Sequence, residues 1–142
     1  MKRERPAGAV GIGVDVVEVE RIAGVIQEWR ERFLNRIYTE GEIRYCQRKR
    51  DPYPSYAGRF AAKEALFKAL GTGLRQGVRW KEVQVVRKPG GPPTIELRGR
   101  TQEISNRLGV QKILLSLSHT KGVAVATVLL EGKNGEETDG RA

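Results

Sequence analysis

Between Phe60 and Leu70 the chain reads FAAKEALFKAL, a helical segment apolar almost all the way round, with Lys63, Glu64 and Lys68 as its only polar residues. A helix without a wide polar face has to be buried, so the rest of the chain must build a core around this one. At about 100° per residue Glu64 and Lys68 share one side, whereas Lys63 points with Arg59 toward another. The carboxylate in the middle therefore has two readings. Either it is half of an ordinary i,i+4 surface pair with Lys68, or it is a buried acid that needs a proton, a cationic partner or a metal. The prolines of Asp51-Pro52-Tyr53-Pro54-Ser55 break the preceding structure, Ser55 is the expected N-cap, and Gly71 is expected to close the helix in a left-handed conformation.

Around that helix the periodicity alternates between two kinds. Residues 9–17 (AVGIGVDVV) place Val10, Ile12, Val14 and Val16 on one strand face and Gly11, Gly13 and Asp15 on the other. From Glu18 the spacing of Val19, Ile22, Ala23, Ile26, Trp29 and Phe33 predicts a helix of about 15 residues. Thr39 and Glu42 have capping-box spacing and open a short helix ending in Arg48-Lys49-Arg50. Trp80–Lys88 and Thr94–Arg98 flank a Pro/Gly cluster and read as a hairpin, and residues 101–108 as a short helix closed by Gly109. A second hairpin pairs Ile113, Leu115 and Leu117 with Val123, Val125, Thr127 and Leu129 across Ser118–Gly122. Helices early and strand pairs late make the expected class α+β, with an antiparallel sheet packed against helices.

At 142 residues the chain has room for one domain, assigned to 10–131, between a basic N-terminal extension (1–9) and a C-terminal tail (132–142) without apolar anchors. One cysteine, Cys46, and one histidine exclude a disulfide framework and make a zinc site implausible, so Cys46 reads as packing and a reducing cytoplasm as the default setting. No apolar stretch approaches the ~18 residues of a membrane-spanning helix. The 26 Lys+Arg against 17 Asp+Glu leave a net charge of +9. That excess is either a solvated arginine-rich surface or the imprint of an anionic partner.

Asp15 is the second unusual acid. Two glycines precede it on its strand face, which lets a backbone or a ligand approach closely; otherwise it caps the helix that follows. Together Asp15 and Glu64 offer two hard oxygen ligands of the kind magnesium takes, with Arg21, Arg59, Lys63 and Lys68 available to meet a polyphosphate. His119 stands at a hairpin tip, within reach of a ligand, although a lone histidine is more often a plain surface residue. Gly71-Thr72-Gly73 follows a helix rather than a strand and lacks the glycine fingerprint of a nucleotide loop. A basic nucleic-acid-binding domain, with Arg48-Lys49-Arg50 tracking phosphates, would explain the charge but not the two acids.

Three segments, GIGVDVVEVERI (11–22), YAGRFAAKEALFKALGTG (56–73) and LSLSHTKGVAVATVLLE (115–131), resemble the bacterial holo-acyl-carrier-protein synthases, the small 4′-phosphopantetheinyl transferases. The likeness runs from about Val10 to Glu131. It implies transfer of the 4′-phosphopantetheine arm of coenzyme A to a serine of apo-acyl carrier protein, releasing adenosine 3′,5′-bisphosphate, in support of fatty acid biosynthesis. Transferases serving polyketide or peptide synthase carriers share the same superfamily. The resemblance further implies Mg²⁺ (or Mn²⁺) on Asp15 and Glu64, Lys68 facing the diphosphate, and Arg59, His119 and Thr120 holding coenzyme A. Arg21 matches an arginine expected to dock the acidic carrier. A homotrimer with active sites shared between neighbouring subunits is implied as well.

Overall fold

The computed structural model describes residues 8–133; segments 1–7 and 134–142, most of the expected extension and tail, lie outside the described residues. In chain order the elements are β1 (Gly8–Glu18), α1 (Val19–Trp29), α2 (Glu31–Ile37), α3 (Glu40–Gln47), α4 (Tyr53–Leu70), a 3-10 turn (Trp80–Glu82), β2 (Val83–Arg87), β3 (Pro93–Leu97), α5 (Gly99–Arg107), β4 (Val110–His119) and β5 (Val123–Gly132). Strands β1, β5 and β4 form one antiparallel sheet in that order, and β2 with β3 forms a separate hairpin. The α+β class and both hairpins are those the periodicity predicts.

Helix α4 is the centre of the core. Tyr56, Ala57, Ala61, Ala62, Ala65 and Leu66 are fully buried, and the helix lies along the inner sheet face against Ala124, Ala126, Val128 and Leu130. Gly11 and Gly13 make that approach possible: a Cβ on Gly11 would collide with the carbonyl oxygen of Ala69, and one on Gly13 with that of Ala65. The small-residue face of β1 thus receives a helix backbone. Asp15, the next residue on that face, is the first side chain to emerge beyond it. The opposite face of the sheet is uncovered. Ile12, Val14 and Val16 are 68%, 53% and 62% exposed, with Val125 and Leu129 of β5 and Leu114 of β4 beside them in register.

Two helix boundaries depart from expectation. The single helix predicted from Glu18 is broken at Arg30, whose φ of 48° ends α1 and redirects the chain into α2 while its N–H still donates to the Ile26 carbonyl. Apolar spacing continues across the break because Phe33 and Leu34 also pack on the core, so periodicity alone does not reveal the turn. Ser55 is not the cap of α4, which begins two residues earlier at Tyr53. Proline is tolerated in a first turn, whose N–H groups lack helical acceptors, and Asp51 Oδ1 accepts from the Tyr53 N–H at 3.2 Å. Smaller offsets occur elsewhere: the strand expected from Trp80 begins at Val83 after the 3-10 turn, α5 starts at Gly99, and α3 ends at Gln47 just before the basic run. Thr39 and Glu42 make the reciprocal capping box, and Gly71 and Gly109 adopt φ of 79° and 76°.

Candidate active site

Asp15 from β1 and Lys68 from α4 meet at 2.9 Å, and the same ammonium donates to the Val14 carbonyl at 3.1 Å. The i,i+4 surface pair between Glu64 and Lys68 is therefore not the arrangement adopted, and Asp15 does not cap α1, whose N-terminus has no side-chain cap. Glu64, one turn before Lys68, is half-buried beside Asp15. Burial first, and then the Asp15 charge, raise its carboxyl above the ordinary glutamate value, with Lys68 and Arg21 pulling the other way. Two carboxylates from separate elements, flanked by cations, form a pair that suits a hard divalent cation. Among the described residues no cluster of three or more His, Cys, Asp or Glu is poised for a metal. A two-carboxylate set suits Mg²⁺, which completes its shell with water and phosphate oxygens.

Lys63 does something else. Instead of meeting a polyphosphate, it is fully buried and donates to Glu42 Oε1 at 2.8 Å and to the carbonyls of Trp80 and Val83. Glu42 Oε1 also accepts from the Thr39 N–H, and Oε2 from the Val85 N–H at 2.8 Å. Every donor of the ammonium and both carboxylate oxygens are thus engaged, the condition under which a charge pair survives in a core. This pair ties α3, α4 and β2 together immediately beside Glu64. Lys63 adjoins Glu64 in the chain, yet the step of about 100° round the helix turns it into the core.

Arg59 is only 4% exposed and packs its guanidinium over the Tyr45 ring at 3.9 Å, with Nε left without a partner. It opens into a pocket of about 230 Å³ lined also by Ser55, Arg87, Pro93, Leu117, Ser118 and His119. Lys49 also stands over this ring, its Nζ 4.8 Å from the Tyr45 ring centroid. Burial alone would raise the Tyr45 phenol, but Lys49, Arg59 and Arg87 outweigh it and hold it below its ordinary value. A buried guanidinium with a spare donor in a pocket without carboxylates is a built receptor for an oxyanion. His119 is exposed at the rim of this pocket. Thr120 is next in the chain, but its hydroxyl accepts from the N–H groups of Gly122 and Val123 at 3.1 Å and closes the β4–β5 turn.

Sequence and geometry agree in part. The fold unites Asp15, Glu64 and Lys68 at β1 and, separately, Arg59 and His119 at β4; the rows Asp15–Ala126–Leu117 and Val17–Ala124–His119 put β5 between the two groups. Arg21 is exposed on α1 and close enough to influence Glu64. Sequence reasoning puts Lys49 in a basic run but misses its grouping with Tyr45, Arg87 and Arg59, because only the tertiary fold brings the end of α3 and the end of β2 to Arg59. A lone aromatic in a basic helix carries no signal of that contact. Cys46 is packing, as expected: burial pushes its thiol up to about 12. Among the described residues no helix is long and apolar enough to cross a membrane.

An acid pair shared between β1 and α4 and braced by Lys68, with the buried Arg59 one turn earlier on the same helix, defines a class of domain with a surface suited to phosphate-bearing ligands. Residues 11–128 match the family model of the 4′-phosphopantetheinyl transferase superfamily, and the chain belongs to that family. A holo-[acyl-carrier-protein] synthase from Koribacter versatilis is 52% identical over 122 residues, which cover 86% of this chain and 98% of the relative. The crystal structure of the holo-[acyl-carrier-protein] synthase from Neisseria meningitidis superposes with a TM-score of 0.79 at 29% identity, covering 87% of this chain and 98% of the other. That of a holo-(acyl-carrier-protein) synthase from Bacillus anthracis, in complex with CoA (3′,5′-ADP), gives 0.72 at 34% identity, covering 88% and 98%.

Proposed function

We propose that the chain transfers the 4′-phosphopantetheine arm of coenzyme A to a serine of an acidic apo-acyl carrier protein, releasing adenosine 3′,5′-bisphosphate, in support of fatty acid synthesis. The observation that carries this reading is the convergence of Asp15 and Glu64, from β1 and α4, beside Lys68. Family membership, which no nucleic-acid-binding domain would show, sets the alternative reading of the basic charge aside.

Asp15 and Glu64 would hold Mg²⁺ or Mn²⁺, which when bound supplies Lewis-acid charge to the donor's diphosphate. The chain's own groups do the rest. Lys68, half-exposed at the same edge, offsets charge on the diphosphate oxygens as the bond to the leaving adenosine bisphosphate breaks. Glu64 accepts the proton of the attacking serine through a water as the new O–P bond forms. Arg59 and His119, with Arg87 and Lys49 nearby, anchor the nucleotide phosphates at a distance from the reacting phosphorus.

The two groups of residues sit beside different strands, β1 and β4, of one sheet whose outer face is apolar and uncovered. A homotrimer packed on that face brings the acid pair of one subunit toward the anion pocket of its neighbour. Arg21, on α1 beside Glu64, docks the carrier. A cytoplasmic setting fits a reaction that consumes coenzyme A.

The test is incubation with coenzyme A, Mg²⁺ and apo-acyl carrier protein, followed by intact-mass spectrometry. The carrier should gain the phosphopantetheine mass, and Asp15→Ala and Glu64→Ala should each slow the gain by about 10²–10³-fold. Near-normal turnover in both variants would remove the acid pair from the mechanism. Offering polyketide and peptide synthase carriers alongside reads out the carrier range.

A further inference from the structure

A second cavity, of about 610 Å³, lies away from both groups of site residues. It is walled by the end of α2, the loop after α4, the 3-10 turn and the start of α5. Its volume falls within the range of small-molecule sites. Four cations border it: Arg36, Arg79, Lys81 and Arg98. Among the described residues none of the four makes an ion pair. The one lining carboxylate, Glu82, forms an ion pair with none of them, and a single negative charge leaves the lining with a positive excess. Its Oε1 accepts from the N–H groups of Arg79 and Thr101 and from the Thr101 hydroxyl, and its Oε2 from the Arg100 N–H.

The remaining wall is apolar. Leu74 is 56% exposed, and Val78 and Trp80 stand beside it. An excess of positive charge around an apolar surface matches a ligand with an oxyanion head and a hydrocarbon body. A bare anion would leave the apolar wall wet, and a neutral hydrocarbon would leave the cations unused.

We propose that this cavity is a binding site for an alkyl chain with a carboxylate or phosphate head, separate from the site of transfer. Occupancy would also reach the site's main helix. Trp80 stacks on Phe60 with ring centroids 4.9 Å apart, meets Phe67 edge-on at 5.7 Å, and accepts from Lys63, the neighbour of Glu64, through its carbonyl. The assignment is independent of the transfer reading, because its test requires no turnover.

The chain holds two tryptophans, so the Trp29→Phe protein reports on Trp80 alone. Octyl phosphate and decanoate, titrated below their micelle concentrations with saturating coenzyme A present, should shift Trp80 emission saturably. Inorganic phosphate and octyltrimethylammonium at equal concentrations should not. The Arg79→Ser/Arg98→Ser variant, checked for native circular dichroism, should bind about tenfold more weakly, and Arg36→Ser/Lys81→Ser should weaken binding similarly. No saturable shift, an equal response to the cationic amphiphile, displacement by coenzyme A, or undiminished affinity in both charge variants would overturn the proposal. Response to only one of the two heads would identify which oxyanion the site takes.

Discussion

At the scale of single residues, the acid pair governs behaviour through charge. Glu64 binds its proton more tightly in the folded chain than in the unfolded one, because burial and then Asp15 disfavour its carboxylate. By linkage, Glu64 favours folding most at pH below the ordinary glutamate value and ceases to do so as pH rises through its raised pKa. In metal-free protein, Asp15→Asn should lower the Glu64 midpoint and Lys68→Met should raise it, followed by ¹³C NMR of the side-chain carboxyl. A midpoint unmoved in both variants would separate the two acids. Arg21 gives a second prediction at this scale. Arg21→Glu should raise the KM for carrier protein by about tenfold or more, steeply salt-dependent, and leave coenzyme A affinity largely intact. Equal loss of both would move Arg21 from docking into the donor site.

Among the elements, α4 decides most. It is buried on nearly every side, and its orientation is held by two different devices. Gly11 and Gly13 let it lie against β1, and the Lys63–Glu42 pair locks it to α3 and β2. Removing one partner of a buried, fully bonded charge pair costs about 3–5 kcal/mol, because the other charge stays behind. Lys63→Ala should lower stability by that amount in urea unfolding, well beyond Arg100→Ala, which loses a part-exposed pair to Glu103 worth about 1 kcal/mol or less. A Lys63→Ala protein as stable as the parent would show that the pair contributes nothing net. Helix α4 also shows where sequence pattern stops being informative. Its apolar girth requires burial, but the pattern cannot say that Lys63 finds a carboxylate 21 positions back while Lys68 finds one on β1.

On the scale of the whole molecule, the uncovered outer face of the β1–β5–β4 sheet is the dominant feature. Ile12, Val14 and Val16 on an edge strand form an apolar stripe that a monomer would expose to water. Ile12→Glu, placed on that stripe, should convert a three-chain species into a monomer by sedimentation equilibrium and reduce transfer in parallel. A parent chain that sediments as a monomer would instead confine the whole site to one subunit.

The sequence alone determined the α+β class, the two hairpins and the capping box at Thr39, and it singled out the two acids. These are local or periodic properties, written in spacings of two, three or four residues, and the acids were conspicuous because each sat where its neighbours were apolar or small. What faced what was decided only by tertiary structure. The valine face of β1 pointed outward because α4 took the glycine face; Lys63 turned from a ligand candidate into a core pair; Tyr45, Lys49 and Arg87 joined Arg59 across long stretches of chain. Such contacts depend on which surfaces pack together, and a free-energy balance over the whole chain, rather than any local spacing, selects them.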